Sequence, residues 1–292
     1  MRKVKPIKEE KGIAATIGTL FALMIFTTLL SMFTAQYIPA HMKTVEYQHD
    51  MYILEKFSDI RSMIDMLILT ENTNFTSYFA IKLGTDSVPV FSSPTLGRIS
   101  MNPYIGEDSS TFALNLTFYQ KGLTTPTHLI CGGEFSFLAP NRYYVAETIS
   151  LQNGAIIRYN WNAKNASVIV GPHFIVRGNK TNVQISIILQ TVYGPPQSIT
   201  GIETKGFQIT LIGVEKTVAY IDENNKNVTI KIHEEQDKNY MSSAYIDALL
   251  DWMESKVRPY SDYVRGSDYL TIQNVTTMEI VKAYLKIEAT AS

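Results

Sequence analysis

Histidine is well suited to catalysis and metal binding, because its side chain can transfer protons and hold a metal at neutral pH. The chain has five histidines. His41 and His49 are eight residues apart, which places them close to one face of a helix. A metal-binding pair on a helix would be four residues apart, and no carboxylate pattern completes a site. The spacing favours histidines that pack in the protein or at an interface, so we predict no metal site.

The cysteine and the acidic pairs give no catalytic pattern either. Cys131 has no second cysteine with which to form a disulfide or a metal cluster, so we interpret it as a buried thiol. The pairs Asp222-Glu223 and Glu234-Glu235 are typical of loops, and spacing alone cannot show that two carboxylates meet across a fold. The sequence lacks G-x-S-x-G, Walker and G-x-G-x-x-G motifs. We therefore predict no enzyme and no cofactor, with an anchored hydrolase as the least favoured alternative.

Asparagine-linked glycosylation is a covalent chemistry for which the chain repeats a motif. Six Asn-x-Ser/Thr sequons occur, at Asn74, Asn115, Asn165, Asn179, Asn227 and Asn274. The motif is weak singly, and some copies arise by chance in a chain rich in Asn and Thr. We predict that most are used, and that the glycans form a hydrophilic coat and shield strand edges.

Aromatic residues could provide a binding face. Trp161, Trp252 and the tyrosines at 143–144 and 260–269 are candidates for contacts with a glycan or another surface. The same residue types also fill the core of a β-sandwich, and the sequence leaves both interpretations open.

The element that must position these residues begins with an uncharged run, residues 13–35. As a helix its 23 residues would span about 34 Å at ~1.5 Å per residue, enough to cross a hydrocarbon core of ~30 Å. The run is too long for a secretory signal, and no clear cleavage site follows it. Five Lys or Arg and two Glu precede it. This excess of positive charge predicts that residues 1–12 are cytoplasmic and that the chain beyond about residue 36 is external.

Small residues recur at intervals of four along this helix. The first row is Ala14, Gly18 and Ala22, and a second row is Thr27, Ser31 and Ala35. Small residues at this spacing let helix backbones approach closely in lipid, so we predict that the helix packs against copies of itself. The alternative is that these are the small residues common in any membrane span.

The helix is predicted to continue to about residue 69. Pro39 should kink it or start a new helix. Beyond Pro39 a stripe recurs every three or four positions: Met42, Val45, His49, Ile53, Phe57, Ile60, Ile64 and Leu67. Charged residues mark the other face: Lys43, Glu46, Asp50, Glu55, Asp59 and Arg61. The stripe should pack on the chain's own globular domain or on neighbouring helices.

Residues 71–292 are predicted to form an antiparallel β-sandwich, as one unit or as two sub-domains divided near 194–203. Stretches rich in branched and aromatic residues alternate with turns. Twelve strands are predicted, at 79–85, 96–102, 111–119, 127–137, 144–151, 155–159, 166–170, 183–192, 207–214, 227–233, 269–275 and 278–289. Asn153-Gly154 predicts a hairpin turn. An amphipathic helix at 243–257 interrupts the strands. The fold class is therefore mainly β with a long N-terminal α-helix.

The stretch KEEKGIAATIGTLFALMIFTTLLSMFTAQ, residues 8–36, resembles the class III signal peptide of archaeal type IV pilins and related surface proteins. A charged leader, Lys11-Gly12 and an uncharged helix that begins at once carry the resemblance. Weaker similarity extends to IKLGTDSVPVFSSPTLG and RYYVAETISLQNGAII. The resemblance implies that a prepilin peptidase cuts between Gly12 and Ile13 and that the helix is retained. Bacterial pilins place an acidic residue near the start of the helix, whereas the run from Ile13 to Ala35 has none.

These predictions describe a cell-envelope protein in three parts: a leader at 1–12, an N-terminal helix at 13–70 and an external head at 71–292. The resemblance implies a structural subunit whose helix first anchors in the membrane and then packs against copies of itself in a filament. The alternative is a monomeric membrane-anchored protein whose head binds a glycan, a peptide or another cell surface. With a net charge of −1, a nucleic-acid partner is not expected.

Overall fold

The computed structural model describes residues 7–73, 75–88, 92–106, 112–233 and 241–290, and of residues 7–14 and 241–242 it describes the helical backbone alone. Within these ranges the chain is mainly β, with a long N-terminal helix and a shorter helix near the C-terminus. The predicted fold class is confirmed. The sequon residue Asn74, the pair Glu234-Glu235 and the first half of the predicted leader lie outside the described residues.

The N-terminal helix is continuous in three segments. α1 spans Ile7–Met32, a π-helical turn spans Phe33–Tyr37, and α2 spans Ile38–Thr70 with Pro39 in its first turn. Proline has no N–H to donate to the carbonyl four residues earlier, and its ring would clash with that carbonyl in a regular α-helix. The wider π turn accommodates the proline, and the N–H of Ile38 bonds to the carbonyl of Phe33. The sequence predicted a kink or a new helix at Pro39, and the structure shows a π turn before it inside one long helix.

The strands of the described residues form three sheets. In spatial order, sheet 1 consists of β1 (Thr76–Lys82), β12 (Thr204–Tyr220), β16 (Val275–Ala289), β10 (Asn182–Tyr193) and β9 (Phe174–Asn179). Sheet 2 consists, also in spatial order, of β11 (Gln197–Gly201), β2 (Gly97–Asn102), β5 (Glu134–Ala139), β6 (Glu147–Gln152), β7 (Ala155–Asn160) and β8 (Asn165–Val170). Sheet 3 consists of β14 (Tyr263–Arg265), β15 (Tyr269–Ile272), β13 (Val228–His233), β3 (Ala113–Phe118) and β4 (Thr127–Gly132). Neighbours pair antiparallel, whereas β10 and β16 run parallel.

Residues with positive φ explain several strand boundaries. Asn153 and Gly154, at φ +46° and +73°, form the predicted hairpin turn between β6 and β7. Gly133, at φ +99°, ends β4 in sheet 3 and lets the chain enter β5 in sheet 2. The single strand predicted at 127–137 is therefore wrong, because it is two strands in different sheets. Asn274, at φ +58°, likewise separates β15 from β16.

Other strands differ from the sequence prediction in extent or existence. β12 runs to Tyr220, six residues beyond the predicted end at 214, through the charged pair Glu215-Lys216. β9, β11 and β14 are strands that the pattern does not predict. The predicted C-terminal helix is confirmed as α3, Met241–Val257, which packs mainly on β8.

Two clusters of buried apolar side chains form the core. One, the α2 core, receives Phe57, Ile60 and Ile64 from α2, and the other, the α3 core, receives Leu249 and Met253 from α3. The predicted stripe of α2 thus packs on the chain's own head. The clusters lie on opposite faces of sheet 2, because alternate residues of β7 point to opposite sides: Ile156 to the α2 core, Ala155 and Ile157 to the α3 core. Each cluster draws residues from both sides of 194–203.

Candidate functional site

The first candidate site is the spanning segment, residues 15–37, in which every side chain is exposed. Its large apolar side chains are exposed; Phe26 and Leu29, for example, are each 62% exposed. The segment belongs to a helix that is long and apolar enough to cross a membrane. A continuous apolar surface of this size is unfavourable in water. Such a surface is suited to contact with lipid or with other apolar helices.

Four threonine hydroxyls in the spanning segment are satisfied within the helix. The hydroxyls of Thr19 and Thr27 donate to carbonyls three residues earlier, and those of Thr28 and Thr34 to carbonyls four residues earlier. Threonine hydroxyls that bond back to their own helix leave no polar group seeking water. These residues are therefore compatible with a lipid environment.

The two rows of small residues lie on opposite sides of the helix. Gly18 and Ala22 mark one side, and Thr27, Ser31 and Ala35 mark the other, because the nine positions from Gly18 to Thr27 amount to about two and a half turns. A methyl group added at Gly18 would meet no atom within 4 Å. Gly12, Ile13 and Ala14 lie in the part of α1 described by its backbone alone. The predicted roles of these residues stay predictions.

Aromatic rings stack where the spanning segment meets the head. The rings of Phe33 and Tyr37 are 5.0 Å apart, and those of Tyr37 and His41 are 6.0 Å apart. Aromatic residues concentrate at membrane–water interfaces, where an apolar body and a polar edge are both accommodated. The stack marks the level at which a membrane surface would lie.

A buried carboxylate joins α2 to sheet 2 just above this level. Glu46 is fully buried, and its side-chain oxygens accept hydrogen bonds from the backbone N–H groups of Arg142, Tyr143 and Tyr144 at 2.7–3.1 Å. The hydroxyl of Thr95 donates a fourth bond at 2.7 Å. Four donors compensate the loss of hydration of the carboxylate. Glu46 therefore fixes the loop after β5 to the helix.

One turn further along α2, Asp50 lies in a second buried polar group. Its Oδ2 accepts a 2.6 Å hydrogen bond from the amide of Asn141, and Oδ1 has no hydrogen-bond partner in the described structure. Burial raises the pKa of the Asp50 carboxyl to about 8, and the nearby Glu147 carboxylate acts in the same direction. Burial also raises the pKa of Glu147, although Arg158, 3.1 Å away, opposes the change. The neutral form of Asp50 is favoured at neutral pH.

The burial of Glu46 and Asp50 corrects a prediction, because both were expected on the charged face of α2. They instead continue the buried stripe Met42, Glu46, Asp50, Ile53. The spacing of these four residues, at intervals of four, four and three, could have indicated that the two carboxylates share the buried face. The predicted stripe left out the two carboxylates and passed through Val45 and His49 instead, which are half-buried.

The histidines on the helix and Cys131 have separate structural surroundings. His41 stacks on Tyr37, whereas Nε2 of His49 lies 2.9 Å from the carbonyl of Lys82. Burial lowers the pKa of His49. Cys131 is buried beside Asn153, and burial raises the pKa of its thiol to about 12, so the thiol stays protonated at neutral pH. Within the described ranges, no group of three His, Cys, Asp or Glu residues is placed to hold a metal ion.

The second candidate site is a groove of about 430 Å³ between α2 and α3, which we call the α2–α3 groove. Residues 170–176, from the end of β8 into the start of β9, form its floor. Its walls are lined by Arg61, Trp252, Lys256 and Tyr260. The Lys256 ammonium lies 5.1 Å from the centre of the Trp252 ring. This size is within the range of ligand pockets in proteins.

Neither tryptophan is fully buried, although Trp252 packs against the α3 core. Trp161 is 43% exposed and donates its indole N–H to the hydroxyl of Thr148. Trp252 is half-buried against the backbone of Gly171, where an added methyl group would come 2.0 Å from the indole ring. Tyrosines 159 and 245 are instead among the largest fully buried side chains. The aromatic residues therefore divide between core and surface.

Three of the predicted glycosylation sites lie at one end of the head, which we call the distal end. Asn179 ends β9, Asn227 precedes β13 and Asn274 precedes β16. The backbone connects them, since Val183 N–H bonds to the carbonyl of Asn274, and Val275 N–H to that of Lys226. Asn165 is exposed at the start of β8, and Asn115 is half-buried in the interior of sheet 3.

The distal end is opposite the entry of the spanning segment. β1 pairs with β12 so that Thr76, just after the end of α2, lies beside Thr210. β12 then runs ten more residues to Tyr220, beside Thr277 at the start of β16. This carries the strand roughly 30 Å beyond Thr210, at ~3.3 Å per residue.

Comparisons with known proteins find no matching family model, no matching curated protein and no matching solved structure.

Proposed function

We propose that this chain is a structural surface protein of the archaeal type IV pilin-like kind, with an N-terminal helix that serves twice. The helix first anchors the chain in the membrane with the head outside. It then exchanges lipid contacts for contacts with copies of itself in a filament. The observation that carries the proposal is the spanning segment, whose side chains are all exposed while the stripe of α2 is buried in the head.

The two rows of small residues support assembly beyond a dimer. A filament needs two different contact surfaces on each subunit, because head-to-tail contacts do not close on themselves. Gly18 and Ala22 offer one surface for close approach, and Thr27, Ser31 and Ala35 offer another on the opposite side. A simple membrane anchor needs neither.

The test is to express the full chain with its processing peptidase and to image surface material released by shearing. We expect filaments that contain this chain, and a mature N-terminus at Ile13. Replacing Gly12 with Val should leave a precursor that migrates more slowly. Gly18→Leu should keep membrane insertion, because leucine is more apolar, but abolish filaments by blocking close approach.

The matched control is Thr19→Leu, which adds a similar apolar side chain about a quarter turn from Gly18, between the two rows of small residues. It should leave filaments intact. A chain that is extracted by detergent alone, with no filaments in the sheared fraction, would contradict the filament proposal. That result would favour a monomeric membrane-anchored binding protein, for which the α2–α3 groove is the supporting observation.

A further inference from the structure

We infer that the α2–α3 groove binds a carboxylated sugar unit of an acidic glycan. The inference goes beyond the proposed function, because it concerns the head and holds whether the helix stays in the bilayer or enters a filament. It rests on three features of the groove: its cations, its aromatic rings and a polar pair suited to hydroxyl groups.

Two cations are available to an anion. Lys256 is exposed in the last turn of α3, and within the described residues its ammonium has the Trp252 ring beside it but no carboxylate within ion-pair distance. The Arg61 side chain is only 13% exposed, its Nε lies 3.7 Å from Asp65, and this buried Nε has no hydrogen-bond partner. Burial of the guanidinium lowers the pKa of Arg61. A carboxylate in the groove would instead pair with the terminal N–H groups of Arg61, which arginine offers as a two-donor fork.

Aromatic rings beside these cations suit a sugar better than a simple anion. The Trp252 indole is fixed on the backbone of Gly171, and Tyr260 is 38% exposed at the mouth of the groove. Rings of this kind contact the apolar C–H face of a sugar, while their polar edges stay hydrated. A chain in which Gly171 carried a side chain would displace the indole.

The third feature is the pair His173 and Asp65, whose Nε2 and Oδ1 atoms are 3.0 Å apart. These two atoms are buried, but both side chains are partly exposed, so the pair can offer its remaining polar atoms to sugar hydroxyl groups. The charged residues that line the groove are Arg61 and Lys256, and Asp65 lies behind them, 3.7 Å from Arg61. Together the three give a net charge of +1 when His173 is neutral. The groove is therefore complementary to one carboxylate per bound unit.

The experiment is a titration of the full chain in detergent micelles with a short oligogalacturonate. A Trp161→Phe background leaves Trp252 as the single tryptophan, so its fluorescence reports on the groove. We expect saturable binding that weakens at about tenfold higher salt. The carboxyl-reduced neutral oligosaccharide should bind at least tenfold more weakly, because Arg61 and Lys256 then lack a charged acceptor.

Variants separate the cations from general effects. Lys256→Gln, at an exposed position where folding is not at risk, and Arg61→Gln should each weaken binding at least tenfold, whereas Lys43→Gln on the exposed face of α2 should not. Absence of saturable binding, equal binding of the neutral oligosaccharide, or unchanged binding by Lys256→Gln would overturn the inference. Tighter binding of a short poly-glutamate peptide would also overturn it, in favour of an acidic peptide. None of these readouts depends on filament formation, so failure here is distinguishable from failure of the proposed function.

Discussion

At the scale of single residues, Glu46 determines how firmly the N-terminal helix is held to the head. Glu46→Ala would remove the acceptor of three backbone N–H groups and the Thr95 hydroxyl. Buried donors left unpaired are costly, so we expect the free energy of unfolding to fall by roughly 2–4 kcal/mol. Denaturant unfolding of the full chain in detergent micelles measures this.

The control for Glu46 is Glu55→Ala, which removes an exposed carboxylate from the same helix. It should change the free energy of unfolding by less than about 0.5 kcal/mol. Equal effects of the two substitutions would mean that the four hydrogen bonds at Glu46 do not stabilise the junction.

Asp50 makes stability depend on pH in the direction opposite to an ion-paired carboxylate. Its pKa is about 8 in the folded protein, against an ordinary value of 3.8 for an aspartate side chain. The folded state therefore binds more protons than the unfolded state between these values, so the free energy of unfolding falls as pH rises from about 4 to 8. The raised pKa of Glu147 acts in the same direction. The loss is on the order of a few kcal/mol.

Asp50→Asn mimics the neutral carboxyl and tests this dependence. The variant should melt at a higher temperature than the parent at pH 8 and close to it at pH 4, with a smaller change between the two. Asp59→Asn, at an exposed position on α2, should keep the parent's dependence. Thermal melts of the full chain in micelles provide the comparison, and identical pH profiles for Asp50→Asn and the parent would contradict the assignment.

The sequence predicts the apolar part of this junction but not its polar part. Ile53, Phe57, Ile60 and Ile64 are recognisable because their spacing and hydrophobicity agree. Glu46 and Asp50 occupy the same stripe, yet their burial depends on donors from residues 141–144, almost a hundred positions away. No local pattern reports such a partner. The α2–α3 groove escapes prediction for the same reason, since its walls come from residues 61 and 252.

At the scale of elements, Gly133 controls the passage from sheet 3 to sheet 2. A side chain there would have to adopt φ +99° and would place its Cβ 2.9 Å from Val192 Cβ. Gly133→Ala should therefore lower the free energy of unfolding by roughly 2–3 kcal/mol. Gly213→Ala in β12 is the control, because its Cβ would meet only Tyr284 at 3.7 Å and its φ is not positive. Denaturant unfolding compares the two, and similar losses would argue against backbone strain at Gly133.

The type of an element, helix or strand, was predictable where its apolar residues followed a single period. The predicted element boundaries were wrong where the backbone changed conformation without a proline. The Asn153-Gly154 hairpin and α3 follow from local pattern. The break at Gly133 was missed although Gly132-Gly133 is a turn signal, because the apolar residues before and after it suggest one continuous strand. Within β12 the pair Glu215-Lys216 resembles a turn, although pairing with β16 carries the strand onward. Long-range pairing overrides local propensity in this strand.

At the scale of the whole molecule, the apolar spanning segment lies at one end and three glycosylation sequons lie at the other. The spanning segment is suited to lipid or to other apolar helices, and α2 joins it to the head beyond the aromatic stack at Tyr37. The strands of sheet 1 extend the head further, to the distal end with its three sequons. A hydrophilic coat at that end would face the exterior in either a tethered or an assembled state.

This arrangement predicts which sequons are occupied on the native protein. Asn165, Asn179 and Asn227 are exposed, so each should carry a glycan. Asn115 lies half-buried in β3, flanked by β13 and β4, and its Oδ1 accepts a hydrogen bond from Thr117, so it should stay unmodified once the sheet has formed. In intact mass spectra, Asn→Gln at each exposed site should remove one glycan mass, whereas Asn115→Gln should remove none. A glycan at Asn115 would show that modification precedes folding of sheet 3. Unmodified asparagines at all three exposed sites would instead remove the support that the sequons give to an external head.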